Sequence, residues 1–82
     1  MAAFDVRVEV RLQPGIADPE GATIERALPA LGFDGVSSVR VGKAIRFRVE
    51  AADESGAKAT AEALCARFLA NPVIEDSIVE LA

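Results

Sequence analysis

The chain has 82 residues, of which 51% are hydrophobic, and it carries a formal net charge of −4. This hydrophobic fraction is typical of a folded domain rather than a disordered chain, and the length suits one small core. The acidic balance argues against nucleic-acid binding, which normally needs a basic surface, so we expect no nucleic-acid partner.

Reactive side chains are scarce. The chain has no histidine and one cysteine, Cys65. It therefore lacks the commonest general base near neutral pH, and it can form neither an internal disulfide nor a zinc site of the usual four-ligand kind. No signal-peptide pattern and no apolar run of membrane-spanning length is visible. These absences predict a cytoplasmic protein with no membrane association.

The first element is a strand over residues 4–12, F-D-V-R-V-E-V-R-L. Apolar and charged residues alternate along it without a break, which is the period of a half-buried strand.

D-P-E-G at 18–21 predicts the start of a helix, with Asp18 as the N-cap and Pro19 at the first helical position. Ile24, Ala27, Leu28 and Leu31 form its apolar stripe. Pro29 should loosen the last turn because it removes one helical hydrogen bond, and Gly32 should end the helix.

The period of two returns between residues 36 and 51. Gly42-Lys43 would suit a two-residue type II′ turn, so the pattern predicts antiparallel strands at 36–41 and 44–51.

A second helix should be capped by Asp53 or Ser55 and should end by Asn71, because proline disfavours the α conformation of the residue before it. Residues 73–81 should form the last strand. The apolar positions at helical spacing are Ala57, Ala61, Leu64, Cys65, Phe68 and Leu69.

The resulting order is β-α-β-β-α-β. Two split βαβ units of this kind predict the ferredoxin-like α+β fold, an antiparallel sheet with both helices on one face, formed by residues 1–82 as a single domain.

The uncovered sheet face should collect many of the basic residues. The alternatives are a solvated face with cross-strand ion pairs and a docking surface. RNA binding on this face would need aromatic residues, and none is present there. The basic residues predicted here are Arg7, Arg11, Arg40, Arg46 and Arg48, with Asp5, Glu9 and Glu50 among them.

The last strand has apolar residues on both faces. Val73, Val79 and Leu81 should point one way, and Ile74 and Ile78 the other. A strand with one face exposed to solvent would carry polar residues on that face. We therefore expect the last strand to take part in a homodimer.

Few residues are candidates for chemistry. Neighbouring strand residues point to opposite faces, so the carboxylates of Glu75 and Asp76 should diverge and not form a catalytic pair. Cys65 lies in an apolar stripe with no base nearby. V-G-K at 41–43 lacks the rest of a phosphate-binding loop. The residues therefore predict no catalytic, cofactor or metal site.

Several segments occur together in a specific order: D-P-E-G at 18–21, I-E-R-A-L at 24–28, L-G-F at 31–33, V-R-V-G-K at 39–43 and C-A-R-F-L-A-N-P-V-I-E-D at 65–76. As a set, they make the chain resemble the PurS family, the small subunit of bacterial and archaeal phosphoribosylformylglycinamidine synthase. The resemblance covers essentially the whole chain.

This resemblance implies a role in the fourth step of de novo purine biosynthesis. The complex is an ATP-dependent carbon–nitrogen ligase with glutamine as amido donor; a synthetase subunit holds ATP and Mg²⁺, and a glutaminase subunit releases ammonia. The PurS-like chain would form a homodimer, or a higher oligomer, that bridges the two and supports ammonia transfer without binding a cofactor of its own.

The contacts with the larger subunits should lie at exposed positions that are outside the apolar periodicity of the strands and helices, within the segments that resemble the family. The candidates are Asp18, Pro19, Arg40, Gly42, Lys43, Asn71, Glu75 and Asp76.

Another possibility is a ligand-binding regulatory module of the same fold, as in ACT domains. Such a module would be expected to have a glycine-rich loop between strand and helix, and Q-P-G-I-A at 13–17 offers one glycine. An acylphosphatase-like enzyme is disfavoured because the Arg and Asn phosphate cradle of that family has no counterpart.

Overall fold

The computed structural model describes all 82 residues. The strands form one antiparallel sheet in the order β2-β1-β3, with β1 in the centre. The elements, in chain order, are β1 (Ala2–Leu12), α1 (Pro19–Ala27), a 3₁₀ turn (Pro29–Leu31), β2 (Gly42–Ala51), α2 (Glu54–Leu64), a π turn (Cys65–Leu69) and β3 (Glu75–Leu81).

The core lies between this sheet and α2. Alternation along β1 directs Val6, Val8 and Val10 to one face, where they are almost completely buried. Helix α2 presents the small residues Ala57 and Ala61 to them, followed by Cys65. Short side chains let the helix backbone approach the sheet closely, so a chain rich in Ala and Val packs without large aromatic groups.

The α+β, ferredoxin-like class with an antiparallel sheet is confirmed, whereas the predicted strand at 36–41 and its turn are wrong. Gly42 and Lys43 lie inside β2, opposite Arg11 and Val10 of β1. Since β1 ends at Leu12, residues 36–41 extend past the end of the sheet and have no strand beside them. Gly42 is needed for close approach instead of a turn, because a Cβ there would lie 2.8 Å from the Val10 carbonyl oxygen.

The predicted start and end of helix α1 are confirmed. Asp18 caps it and Pro19 is its first residue. The α-helix ends at Ala27, and Pro29 begins a separate 3₁₀ turn because proline cannot donate the next helical hydrogen bond. Gly32 ends this turn in the left-handed region with a φ of 93°.

Helix α2 is capped by Asp53, whose carboxylate accepts a hydrogen bond of 2.8 Å from the Gly56 N–H. The π turn then closes with a 3.1 Å hydrogen bond from the Ala70 N–H to the Cys65 carbonyl. Phe68 was predicted to face the core but is 84% exposed, and Leu64 is also exposed. A π turn holds more residues than an α turn, so Phe68 rotates out of the apolar stripe.

Strand β3 begins at Glu75, two residues later than predicted. Val73 and Ile74 belong to the preceding turn, so they are not strand residues. The opposed faces are confirmed within the strand: Val79 and Leu81 pack on the core, and Ile78 lies opposite Glu9 on the charged face.

The charged sheet face carries ion pairs both between strands and within β1. Between strands, Arg48 lies 2.9 Å from Asp5, and Arg7 lies 4.0 Å from Glu80. Within β1, Glu9 lies 3.3 Å from Arg11 and 3.8 Å from Arg7. Exposed pairs of this kind contribute little stability. Arg40, which was predicted on this face, instead lies beyond the end of the sheet.

The molecule is long and thin, with extents of 53 × 26 × 14 Å. We call residues 19–41 the arm, and the sheet with α2 the body. No hydrophobic residue of the arm belongs to the core or packs on it. Neither helix has the length and apolar content needed to cross a membrane.

Candidate partner-binding site at the junction of arm and body

Most of the residues predicted to contact partner subunits lie together at the junction of arm and body. The end of β1, the start of β2 and the start of β3 meet there. A cleft of about 440 Å³ opens between these strands and the start of α1. Its lining includes five of the eight predicted residues: Asp18, Pro19, Gly42, Lys43 and Glu75.

A second cleft, of about 500 Å³, holds two further predicted residues, Arg40 and Asp76, together with Ile78. Arg11 and Leu12 line both clefts, which places the two clefts next to each other around the end of β1. Glu75 lines the first cleft and Asp76 the second. The two carboxylates therefore face different spaces, as the strand period predicts, and cannot act on one bond.

Asp18 joins the arm to the body. One carboxylate oxygen accepts a hydrogen bond of 2.8 Å from the Gly21 N–H, and the other accepts one of 2.7 Å from the Val41 N–H. Its side chain is 5% exposed, and the Arg40 guanidinium lies 4.0 Å away. The hydrogen bond from Val41, then that from Gly21, lower the pKa of Asp18 from its ordinary value of 3.8, and Arg40 adds to this effect.

A second carboxylate of α1 repeats this arrangement. Glu25 accepts a hydrogen bond of 2.9 Å from the Val39 N–H. Asp18 and Glu25 lie seven residues apart, so they project from one side of the helix two turns apart. They bind the N–H groups of Val39 and Val41. Residues 39–41, which we call the extended segment, therefore lie along α1 instead of beside another strand.

Gln13, which is not among the predicted residues, connects the loop after β1 to the turn before β3. Its N–H donates to the Ile74 carbonyl at 2.8 Å, and its side-chain amide donates to the Pro72 carbonyl at 3.1 Å. A single glutamine before Pro-Gly is not part of any sequence pattern that predicts hydrogen bonds to a distant turn.

Asn71, the eighth predicted residue, shapes the turn instead of lining a cleft. Its side-chain oxygen accepts from the Val73 N–H at 3.1 Å, and its own N–H donates to the Glu75 carboxylate at 2.7 Å. This turn holds Glu75 at the edge of the first cleft.

The junction has the chemistry of a contact surface. The first cleft is lined by the basic residues Arg11 and Lys43, by the acidic residues Asp18, Glu20 and Glu75, and by the apolar residues Val10, Leu12 and Val41. No three His, Cys, Asp or Glu side chains are grouped to hold a metal ion. Mixed charges around an apolar centre are suited to a protein partner.

The predicted dimer-forming residues are spread over several environments. Val79 and Leu81 lie under α2, Ile78 lines the second cleft, and Val73 and Ile74 lie in the turn. Strand β3 pairs with β1 on one side only, so its outer edge is unpaired.

The sequence matches one protein family over almost its full length. The PurS family model, described as phosphoribosylformylglycinamidine (FGAM) synthase, matches residues 5–82. FGAM synthase subunit PurS of Synechocystis is 40% identical over 79 residues, which cover 96% of this chain and 79% of that protein. The subunit of Methanocaldococcus jannaschii is 41% identical over 73 residues, which cover 89% and 88% of the two chains.

Solved structures are similar over the same extent. A chain in the structure of PurLQS from Thermotoga maritima has a TM-score of 0.92 and 33% identity, and the match covers 100% of both chains. The crystal structure of PurS from Methanocaldococcus jannaschii has a TM-score of 0.86 and 37% identity, and the match covers 96% of this chain and 95% of that one.

Proposed function

The chain belongs to the PurS family, the small subunit of FGAM synthase, and from this membership we propose that it bridges the two larger subunits of that enzyme. The observation that carries the proposal is the clustering of seven predicted contact residues around the two clefts of the junction. The similarity to a chain of PurLQS supports a place beside a synthetase and a glutaminase subunit.

In this role the chain contributes contacts and not chemistry. The complex would use ATP, Mg²⁺ and glutamine to convert formylglycinamide ribonucleotide to its amidine in the cytoplasm. The cofactors would be held by the larger subunits, while residues 1–82 act as one domain that supports ammonia transfer.

The same proposal includes a homodimer, or a higher oligomer, formed through β3. The unpaired outer edge of β3 offers backbone groups to a second strand. Ile78 is the apolar residue that β3 presents on the charged face, where a neighbouring strand would cover it. The contributing residues would be Val73, Ile74, Ile78, Val79 and Leu81.

Charge reversal at the junction tests the bridging role. We expect Lys43→Glu and Asp76→Lys to reduce glutamine-dependent activity about tenfold or more when the chain is mixed with the two larger subunits, because mispaired charges at an interface cost several kcal/mol. Ammonia-dependent activity of the synthetase subunit should not change.

Lys58→Glu and Glu62→Lys are matched controls, since both residues are exposed on α2 away from the clefts. Full glutamine-dependent activity of the folded Lys43→Glu and Asp76→Lys variants would contradict the proposal. So would an equal loss of activity in the α2 controls.

A further inference from the structure

The charged sheet face carries two arginines that lie directly opposite each other. Arg7 of β1 is the register partner of Arg46 of β2, so both side chains leave the sheet on the same face. Like charges at directly opposite positions destabilise a sheet. No other cross-strand pair of this sheet joins two residues of the same charge. The pair is therefore a local exception to a face whose charges are otherwise matched.

The guanidinium groups of the two arginines have few partners within the chain. Arg46 takes part in no ion pair and in no hydrogen bond of its side chain. Arg7 lies 3.8 Å from Glu9 and 4.0 Å from Glu80, and both distances are too long for hydrogen bonds. The N–H donors of both groups are therefore available to a ligand.

Both arginines line a cavity of about 460 Å³ on this face. The other charged residues of its lining are Arg48 and Asp5. Asp5 accepts a hydrogen bond of 2.9 Å from Nε of Arg48, so the charges of these two residues compensate each other. Two positive charges remain in excess, in a chain with a formal net charge of −4. Attraction for an anion is therefore local to this cavity.

The charge and spacing of the two arginines match a phosphate monoester. Such a group carries a charge of about −1.5 to −2 at pH 7 and has three strong acceptor oxygens. Directly opposite residues have Cβ atoms about 5 Å apart, so both guanidinium groups can reach one tetrahedral anion, each with two parallel N–H donors. A single carboxylate would leave one of the two positive charges unmatched.

The lining also indicates which part of the ligand would be recognised. Phe47 is the aromatic residue of the lining, and it packs against the hydrophobic core on the other face of the sheet. No aromatic side chain is therefore placed to stack on a nucleobase. The phosphate group would supply most of the affinity, which favours a sugar phosphate over a ligand held by its base.

We propose that the cavity at Arg7 and Arg46 binds the phosphate monoester of a small molecule of the sugar-phosphate class. This site goes beyond the bridging of subunits. Arg7 lies five positions before Leu12 in β1, so the cavity is about 17 Å from the junction at 3.4 Å per residue. It also lies on the β2 side of the sheet, away from the outer edge of β3.

Titration of the full chain with ribose 5-phosphate tests the site by NMR. The Nε–H signals of Arg7 and Arg46 and the amide signals of residues 46–48 should shift and saturate, with a dissociation constant of about 1 mM, because a few charge-assisted hydrogen bonds form at an exposed site. Ribose, which lacks the phosphate, should cause no shift. Inorganic phosphate should bind more weakly if the sugar contributes, and equally well if free phosphate is the ligand.

Single charge removals locate the binding. Arg46→Gln and Arg7→Gln should each raise the dissociation constant about tenfold, since each removes charge-assisted hydrogen bonds. Arg67→Gln is the matched control, because it removes the same charge from an exposed residue in the π turn after α2. Its dissociation constant should equal that of the wild type.

The pH dependence separates recognition of a doubly charged phosphate from general attraction. The affinity for ribose 5-phosphate should rise about threefold or more between pH 5 and pH 7.5, because the monoester gains its second charge near pH 6. The carboxylates that face the two arginines are Asp5, Glu9 and Glu80. Sulfate stays doubly charged over this range, so it reports their contribution, and its affinity should not rise.

Shifts that do not saturate would overturn the inference, as would equal weakening by Arg67→Gln. Binding of a glutamate-rich peptide without binding of ribose 5-phosphate would also overturn it and would assign the face to an acidic protein segment. None of these measurements contains a larger subunit. Failure of the phosphate site therefore leaves the bridging role standing, and failure of the junction variants leaves the phosphate site standing.

Discussion

Asp18 is the residue on which the attachment of the arm depends most. It caps α1, accepts the Val41 N–H and lies beside Arg40. The cap was predictable from D-P-E-G, because a short polar side chain before proline is a common helix start. The hydrogen bond from the Val41 N–H was not predictable from the sequence. It joins residues 23 positions apart and requires the extended segment to turn back along the helix.

The ionisation of Asp18 gives this attachment a pH dependence. Because the folded state lowers the pKa of Asp18 below 3.8, the charged form contributes stability that is fully present above this value and is lost as pH falls through the lowered pKa. We expect the wild-type protein to exceed the Asp18→Asn variant in free energy of unfolding by a constant amount near neutral pH. Denaturation in a pH series should show this difference shrinking below pH 3.8. A difference that grows as the solution becomes more acidic would contradict the assignment.

At the scale of elements, α1 and the extended segment form one unit held by two carboxylates and a close contact at Gly21. A Cβ on Gly21 would collide with the carbonyl oxygen of Val39. The helix therefore needs glycine here for the approach of a neighbouring backbone, even though glycine weakens helices by about 1 kcal/mol.

The Gly21→Ala variant should accordingly be less stable despite the higher helix propensity of alanine. Overpacking against a backbone atom costs about 1–3 kcal/mol, which exceeds the gain in propensity. We expect urea denaturation to show a lower free energy of unfolding, together with faster amide exchange at Val39 and Val41. Gly35→Ala is the matched control, because nothing lies within 4 Å of its Cβ position. Equal free energies of unfolding of the Gly21→Ala and Gly35→Ala variants would contradict this prediction, because the extended segment would then move away from α1 without loss of stability.

Sequence periodicity predicted β1, both helix starts and the sheet type, because these depend on neighbouring residues. The strand at 36–41 and the core position of Phe68 were wrong for a different reason. A period of two shows that a segment is extended but not what lies beside it, and here helix α1 lies beside it. Nothing in C-A-R-F-L distinguishes a π turn from a regular α turn.

The candidate site was predictable in its members but not in its arrangement. Asp18, Lys43 and Glu75 were selected as exposed residues in separate segments, and only the register of the sheet brings them to one cleft. Gln13 was missed because its contacts reach residues about 60 positions later in the chain.

At the scale of the whole molecule, the chain combines a small hydrophobic core with an elongated shape. Eight hydrophobic residues form the buried core, and the arm adds none of them. A chain with so little buried surface has a small margin of stability, so association should supply a large share of it.

The melting temperature of the wild-type chain should therefore rise with protein concentration, because association stabilises only the folded chain. In calorimetric scans over a hundredfold concentration range, we expect a clear upward shift for the wild type. A wild-type melting temperature independent of concentration would show that the single chain is sufficient for stability.

The absence of a turn at Gly42-Lys43 has a mechanical consequence. Residues 39–41 lead without a turn into β2, and ten residue pairs join β2 to β1. A pull on Val39 along the direction of β2 therefore loads those pairs in shear, so they share the force instead of opening one after another. A displacement of the arm in this direction would be passed to the whole sheet at once.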